Sequence, residues 1–167
     1  MPTSPPTAIE FRQALGQFAT GVTIVTAERT PGQVHGMTAS SFASVSIDPP
    51  LVLVCIDQRA HMLAILQKQK RFGISILKEE QQKISRFFAQ PEQNPSEESA
   101  LGIRFRWTPS GIPLLEDTLV QLGCNVVAAH VSGDHTVFIA EVESAEIHSG
   151  APLLHFHGGY HRLARLA

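Results

Sequence analysis

The sequence is poor in several things at once: among 167 residues there is one tryptophan, one tyrosine and only two cysteines. Cys55 and Cys124 each sit inside apolar β-type sequence, which argues against a disulfide framework and suits reduced packing residues in a reducing compartment. Charge of one sign is also missing. Thirteen Lys and Arg against fifteen Asp and Glu leave a net charge of −2, and the basic residues are scattered, so neither a nucleic-acid face nor a polybasic membrane patch is expected. No apolar run approaches the ~18 residues that would span a bilayer. The N-terminal MPTSPPTAIE lacks the basic start and apolar core of a signal peptide, so the expected location is the cytoplasm and the expected partners are small molecules. No GxGxxG follows a strand and no GxxxxGK[ST] occurs, so any nucleotide has to be held by other means.

What is present is apolar and rich in β-branched residues. A hydrophobic fraction of 43% with 17% charged residues is enough for one core and leaves less polar cover than a monomer usually carries, which favours a buried subunit interface. Residues 1–7, rich in Pro, Ser and Thr, read as a loose tail ahead of a single domain over 8–167. The spacing of Ile9, Phe11, Leu15 and Phe18 predicts a helix over about 8–19 with those residues as its buried stripe.

VTIVTA, MTASSFASVSI and LVLVCID then read as three successive strands. RAHMLAILQKQK, with Met62, Ile65 and Leu66 at helical spacing, predicts a helix that crosses to the strand RFGISIL. EEQQKISRFFAQ reads as a further helix, PEQNPSEESALG as a loop and the most mobile region, and LVQLGCNVVAAHV, HTVFIAEVESAEIH and LLHFHGGYHRLARL as strands. Many strands, few helices and hairpin connections predict a mainly β fold, a closed or nearly closed barrel with peripheral helices.

The stretch HGMTASSF, residues 35–42, gathers Gly36, Thr38, Ser40 and Ser41 where a core strand would ordinarily carry bulk. Short hydroxyls and uncovered backbone N–H groups there can reach a flat polar ring or a phosphate. The same residues can equally pack under a helix with their hydroxyls bonded to backbone. Composition leaves both readings open.

TGVTIVTA, HGMTASSFASVSIDPPLVLVCID, KRFGISIL, SGDHTVFIAEV and PLLHFHGGYHRL, in that order, resemble the short-chain flavin reductases of two-component monooxygenase systems, the flavin reductase-like, FMN-binding split-barrel family. The resemblance implies a homodimeric split β-barrel of the Greek-key, FMN-binding type. It implies FMN or FAD in a groove near the dimer interface, NADH or NADPH as hydride donor, and delivery of reduced flavin to a partner monooxygenase.

By the same resemblance Thr38, Ala39, Ser40 and Ser41 line the flavin, Cys55, Ile56 and Asp57 end the next lining strand, and Gln58 to Met62, His61 included, hold the flavin phosphate. Many relatives carry Ser or Thr near position 61, and a histidine can also donate to phosphate. Arg86, Phe87 and Phe88 match a helical segment approaching that phosphate, where arginine suits an anion and the phenylalanines also read as core. His135, directly after the turn Ser132-Gly133-Asp134, matches a histidine beside which nicotinamide approaches, with a turn-capping role as its alternative. Hydride transfer needs donor C4 held against flavin N5, so proximity and orientation carry the catalysis and no nucleophile is expected.

HFHGGYH puts His155 and His157 on one face of a strand with His161 beyond. A zinc site needs more convergent ligands than that, and no Cys pair or HExxH assists, so no metal is assigned. The resemblance instead gives His157, Gly158, Gly159 and Tyr160 to the cofactor, the glycines through close backbone approach. Two other activities remain open to the sequence: a flavoprotein with tightly bound FMN that reduces another acceptor such as ferric iron, and a non-catalytic flavin- or haem-binding split barrel.

Overall fold

A computed structural model describes residues 4–164. In chain order the elements are α1 (Ala8–Leu15), β1 (Thr20–Gly21), β2 (Thr23–Thr30), β3 (Gln33–Ala39), β4 (Phe42–Ser46), β5 (Leu51–Asp57), α2 (His61–Gln69), β6 (Arg71–Ile76) and α3 (Gln82–Phe88). They are followed by α4 (Pro95–Ala100), β7 (Phe105–Trp107), β8 (Pro113–Leu115), β9 (Val120–Ser132), β10 (His135–Ile147), β11 (Leu154–Phe156) and β12 (Gly159–His161). No described helix is long and apolar enough to cross a membrane.

Seven strands pair antiparallel in the order β3-β2-β6-β9-β10-β5-β4. The two edges of this sheet are consecutive in sequence: only Ser40 and Ser41 separate the end of β3 from the start of β4. The sheet therefore rolls into a barrel that is split between β3 and β4, because a two-residue link can join the edges only if they lie close together. Along β5, Val52, Val54 and Ile56 point inward while Leu51, Leu53, Cys55 and Asp57 are only half-buried. This is the two-residue period of a strand with one face in the core. Phe72, Ile74 and Phe138 join them, and α2 closes the cluster with Met62, Leu63 and Leu66. Each such buried side chain contributes about 1.5–3 kcal/mol relative to leaving it in water.

β2 is covered on both faces. Val25 faces the barrel core, whereas Ile24 joins Val22, Leu77, Phe87, Phe88, Leu115 and Leu153 in a second cluster outside it. That outer cluster fixes α3 and the C-terminal segment against the strand that neighbours the split.

Several expectations are corrected. MTASSFASVSI is two strands, broken at Ser40-Ser41, because the chain changes from pairing with β2 to pairing with β5 at that point. The first helix ends at Leu15, and Ile9, Phe11, Leu15 and Phe18 are all exposed, 54–74%, since nothing among the described residues covers them. PEQNPSEESALG contains α4, started by Asn94, whose side chain accepts from the Ser96 N–H, and by proline at the first helical position. The short pair β7–β8 was absent from the sequence reading altogether. Of the expected tail, residues 1–3 lie outside the described residues, and Thr7 is not loose, since it forms a capping box with Glu10. Cys55 and Cys124 are both free, and burial pushes the Cys124 thiol up to about 12.

Gly73 marks where β8 crosses the barrel: a Cβ there would stand 2.4 Å from the Pro113 carbonyl oxygen and 2.5 Å from the Thr26 hydroxyl. Thr26 itself donates to that carbonyl at 2.6 Å. Gly73→Ala is expected to cost about 1–3 kcal/mol of stability through overpacking. A denaturant midpoint equal to that of the parent protein would contradict this contact.

Candidate functional site

The site is built around the split. Gly36 on β3 lies under the Phe88 ring, where a Cβ would come within 2.4 Å of a ring carbon, so a side chain at 36 would force α3 away. Two residues on, the Thr38 hydroxyl donates to the Ser85 carbonyl of α3 at 2.7 Å. The buried Ser85 hydroxyl in turn meets the Tyr160 hydroxyl of β12 at 2.9 Å, and the Arg86 guanidinium stands 5.8 Å over the Tyr160 ring. Across the split, the Ser41 hydroxyl donates to the Cys55 carbonyl at 2.9 Å and accepts from the Cys55 N–H at 3.2 Å. Thr38 and Ser41 thus spend their hydroxyls on backbone, one of the two uses open to HGMTASSF.

Between β3, the start of α2 and the end of α3 runs an open groove of about 590 Å³. His35, Gly36, Met37 and Thr38 form one wall, Asp57, Arg59, Ala60 and His61 a second, and Phe88 to Pro91 with Gln93 a third. Gln93 fixes this third wall by donating to the Gly36 carbonyl at 2.7 Å. The N-cap of α2 is Ala60, which offers no side-chain hydrogen bond; the Leu63 N–H turns to the Ala60 carbonyl at 3.0 Å, and the helix dipole at this end favours an anion beside His61.

Asp57 accepts two bonds from the Arg59 side chain, at 2.8 and 3.0 Å, and one from its N–H at 2.8 Å. These bonds, above all those from the side chain, hold the Asp57 carboxyl well below the usual carboxylate range. His135 is the direct partner of Asp57 in the β5–β10 register. Its Nδ1 lies 2.7 Å from an Asp134 oxygen, and since an ionised carboxylate only accepts, Nδ1–H is the donor of that bond. That hydrogen bond to His135 is also the main cause of the lowered Asp134 carboxyl pKa.

The structure therefore brings some of the sequence-assigned residues together and disperses others. Thr38, Asp57, His61 and Phe88 line the groove. Arg86 and Tyr160 stand behind it through Ser85, while His135 borders its Asp57 end. The side chains of Ile56, Met62 and Phe87 are wholly buried, and that of Ala39 nearly so, which leaves these four residues only backbone atoms to offer a ligand.

Ser40 opens onto a separate recess of about 260 Å³ with Phe18, Thr20 and Phe42. His157 and Gly158 are the central residues of the β11–β12 turn, both with positive φ (50° and 77°), as a two-residue hairpin demands. The glycine at 158 is explained by that turn, and the His157 N–H donates to the Gly16 carbonyl rather than toward the groove. Gly159 pairs with Phe156 in the same hairpin. His155 packs against Tyr160, and His161 Nε2 meets the Phe156 carbonyl at 3.2 Å.

Sequence reasoning assigned no role to His35, Met37, Ser85 or Gln93, whereas Arg59 lies inside the segment Gln58 to Met62 expected at the phosphate. His35 and Gly36 sat inside the quoted stretch, while nothing in PEQNPSEE marks Gln93 as a wall residue.

An open groove with apolar walls, a hydroxyl-bearing strand and a helix N-terminus at one end is a shape and chemistry that could hold a ring-bearing, phosphorylated small molecule. The chain belongs to the flavin reductase like domain family, whose sequence pattern matches residues 15–164. It is 44% identical to a protein named NADH-dependent flavin reductase from Rhodococcus sp, over 96% of this chain and 89% of that one. Among solved structures it resembles flavin reductase PheA2 in its native state, with a TM-score of 0.86, 41% identity and coverage of 96% and 100% of the two chains. It also resembles the styrene monooxygenase flavin reductase from Pseudomonas putida S12, with a TM-score of 0.85, 36% identity and coverage of 94% and 99%. The groove fits the flavin that these names imply: its apolar walls suit a flat ring, and the uncapped start of α2 with His61 suits a phosphate.

His35 gives the site a pH signature. Burial first, then the charges of His61 and Arg29, push its pKa below the ordinary value. The unfolded chain therefore takes up a proton that the folded chain resists, so the stability associated with neutral His35 is present above about pH 6.5 and is lost as pH falls below it. His35→Gln is expected to lose less thermal midpoint than the parent protein between about pH 7.5 and 5.5. Equal losses in the two proteins would mean that His35 titrates as it does in open solvent.

Proposed function

We propose that this protein is an NAD(P)H-dependent flavin reductase that transfers hydride from NADH or NADPH to FMN or FAD and supplies the reduced flavin to a partner monooxygenase. The observation that carries the reading is the groove itself, in which Thr38 of the hydroxyl-rich stretch, the uncapped start of α2 and the Asp57–His135 edge converge. The flavin, when bound, supplies the hydride acceptor.

The protein's own residues bind and orient. The start of α2 and His61 take the phosphate, while Arg86, over the Tyr160 ring, stands behind the groove. Thr38, Met37 and Phe88 form the walls for the ring, held in place by the Thr38–Ser85–Tyr160 bonds. His135, whose ring is held by the Nδ1 bond to Asp134, positions the nicotinamide. No nucleophile is required, since holding donor and acceptor face to face supplies the rate. The groove is open along one side, which suits a flavin that must leave again as product.

The name of the Rhodococcus relative supports NADH as donor, and that of the styrene monooxygenase flavin reductase supports a monooxygenase as recipient. A homodimer is part of the same reading. The outward faces of β5 and β10 pair Leu53 with Ile139 and Cys55 with Val137, while Val45 and Ile47 beside them are 46% and 94% exposed. An apolar sheet face of this kind, together with the bare stripe of α1, suits burial against a second copy. Action in the cytoplasm accords with the free cysteines.

The test is loss of nicotinamide absorbance with NADH or NADPH and added FMN or FAD. Oxidation that depends on added flavin is expected, and no oxidation with any pair would overturn the reading. His135→Ala is expected to lower kcat/KM for the nicotinamide by about 10–100-fold, as loss of a positioning contact does, while flavin affinity stays near that of the parent. Equal losses in turnover and in flavin affinity would make His135 a residue of the flavin site or the fold instead.

A further inference from the structure

β5 hands over to α2 through a tight turn, Asp57-Gln58-Arg59-Ala60. It is closed by the Ala60 N–H to the Asp57 carbonyl at 3.0 Å and by the Arg59 N–H to the Asp57 carboxylate at 2.8 Å. Asp57, Arg59 and Ala60 line the groove, whereas Gln58 does not, although it falls in the segment expected at the phosphate. Its main chain and its side chain both turn to the tip of the β9–β10 hairpin instead. The Gln58 N–H donates to the Asp134 carbonyl at 2.9 Å, and its side-chain amide donates to the Thr136 hydroxyl at 3.0 Å. One residue therefore holds both chain neighbours of His135.

The consequence lies in how His135 projects from the sheet. It pairs with Ser132 on one side and Asp57 on the other at the very end of both ladders, and its side chain is 41% exposed, so packing alone does not fix its direction. Successive side chains of a strand point to opposite faces: Thr136 turns into the barrel, where it is 3% exposed, and His135 turns outward. Among the described residues the Gln58 amide is the hydrogen-bond partner of the Thr136 hydroxyl, and a buried hydroxyl that loses its partner is left desolvated and unpaired. With Asp134 held before the histidine and Thr136 after it, the backbone that carries the imidazole is fixed. The Asp134 carboxylate then holds the ring at Nδ1.

We infer that Gln58 is a positioning residue for hydride transfer: its two bonds, one on either side of His135, tie the hairpin tip to the turn that starts α2 and so set the imidazole against the groove. The inference rests on the flavin reductase reading and on the role given there to His135, and adds to it a residue that touches neither flavin nor nicotinamide. Gln58 is exposed, so its substitution leaves the core intact. Thr136 supplies an independent way to break the same bond, since valine keeps its shape and removes only the hydroxyl.

Both kcat and KM for NADH at saturating FMN, and the dissociation constant of FMN by flavin fluorescence, are measured for the parent protein, Gln58→Leu, Thr136→Val, their double variant, and Gln58→Leu in the His135→Ala background. Thermal midpoints serve as the control for folding. Each single variant is expected to lower kcat/KM for NADH by about 3–10-fold, with FMN affinity held within about twofold. The double variant is expected to lose no more than either single one, and Gln58→Leu to lose nothing further once His135 is alanine. An undiminished loss in the His135→Ala background, losses that multiply in the double variant, or FMN affinity falling as far as kcat/KM would overturn the assignment. A kcat/KM within about twofold of the parent in Gln58→Leu would overturn it as well. The reductase reading fails separately, if the parent protein oxidises no nicotinamide with any flavin. Amide hydrogen exchange of the ligand-free protein decides the Gln58 tie even then: residues 134–137 are expected to exchange several-fold faster in Gln58→Leu, with β2 and β6 unchanged, and equal rates in the two proteins would contradict it.

Discussion

The structure turns on how one antiparallel sheet closes. With seven strands ordered β3-β2-β6-β9-β10-β5-β4, the first and last are neighbours in sequence, and the chain must pass from one sheet edge to the other through Ser40 and Ser41 alone. Edge strands leave backbone groups without ladder partners. Here side chains answer part of that shortage: Thr23 donates to the Ala39 carbonyl at 2.7 Å, Gln93 donates to the Gly36 carbonyl at 2.7 Å, and Ser41 bonds both backbone groups of Cys55. A larger residue at these places would hold the edges apart, and at position 36 it would also strike Phe88. The small hydroxyl-bearing residues of HGMTASSF are therefore first a device for joining two sheet edges.

The same constraint opens the site. Because β3 has no strand on its outer side, α3 and the start of α2 can approach it and leave a groove rather than a continued ladder. Ser85 ties β3 to the C-terminal hairpin through Tyr160, and Gln93 ties the segment after α3 back to Gly36, so the groove walls are held from both sides. Asp57 and Arg59 hold each other at the other rim as an exposed pair, which fixes geometry more than it adds stability. Binding, orientation and release all follow from an edge left unpaired and then buttressed.

Much of this was legible in the sequence. β-branched runs located β2, β5, β6, β9 and β10, and the apolar spacing of Met62 and Leu66 located α2. What escaped lacked a periodic signal. β7 and β8 are three residues each, and α4 has no buried residue, so only Asn94-Pro95 announced it. The stripe on α1 is apolar as its spacing predicts, but the described residues provide no core to cover it. At the site, the ordered blocks pointed to Thr38, Asp57, His61 and Phe88. They could not separate side chains that face the groove from those, such as Met62 and Phe87, that face the core one residue away. Gln93 reaches the groove through loop geometry, which no short pattern encodes.

The central claim is that flavin occupies the groove between β3, α2 and α3. Amide hydrogen exchange of the whole protein with and without saturating FMN measures this position directly. Added protection is expected in residues 35–41, 57–63 and 85–93, with little change in β7 and β8. Protection confined to the β7–β8 pair or the α1 surface, with residues 35–41 and 57–63 unchanged, would contradict the account.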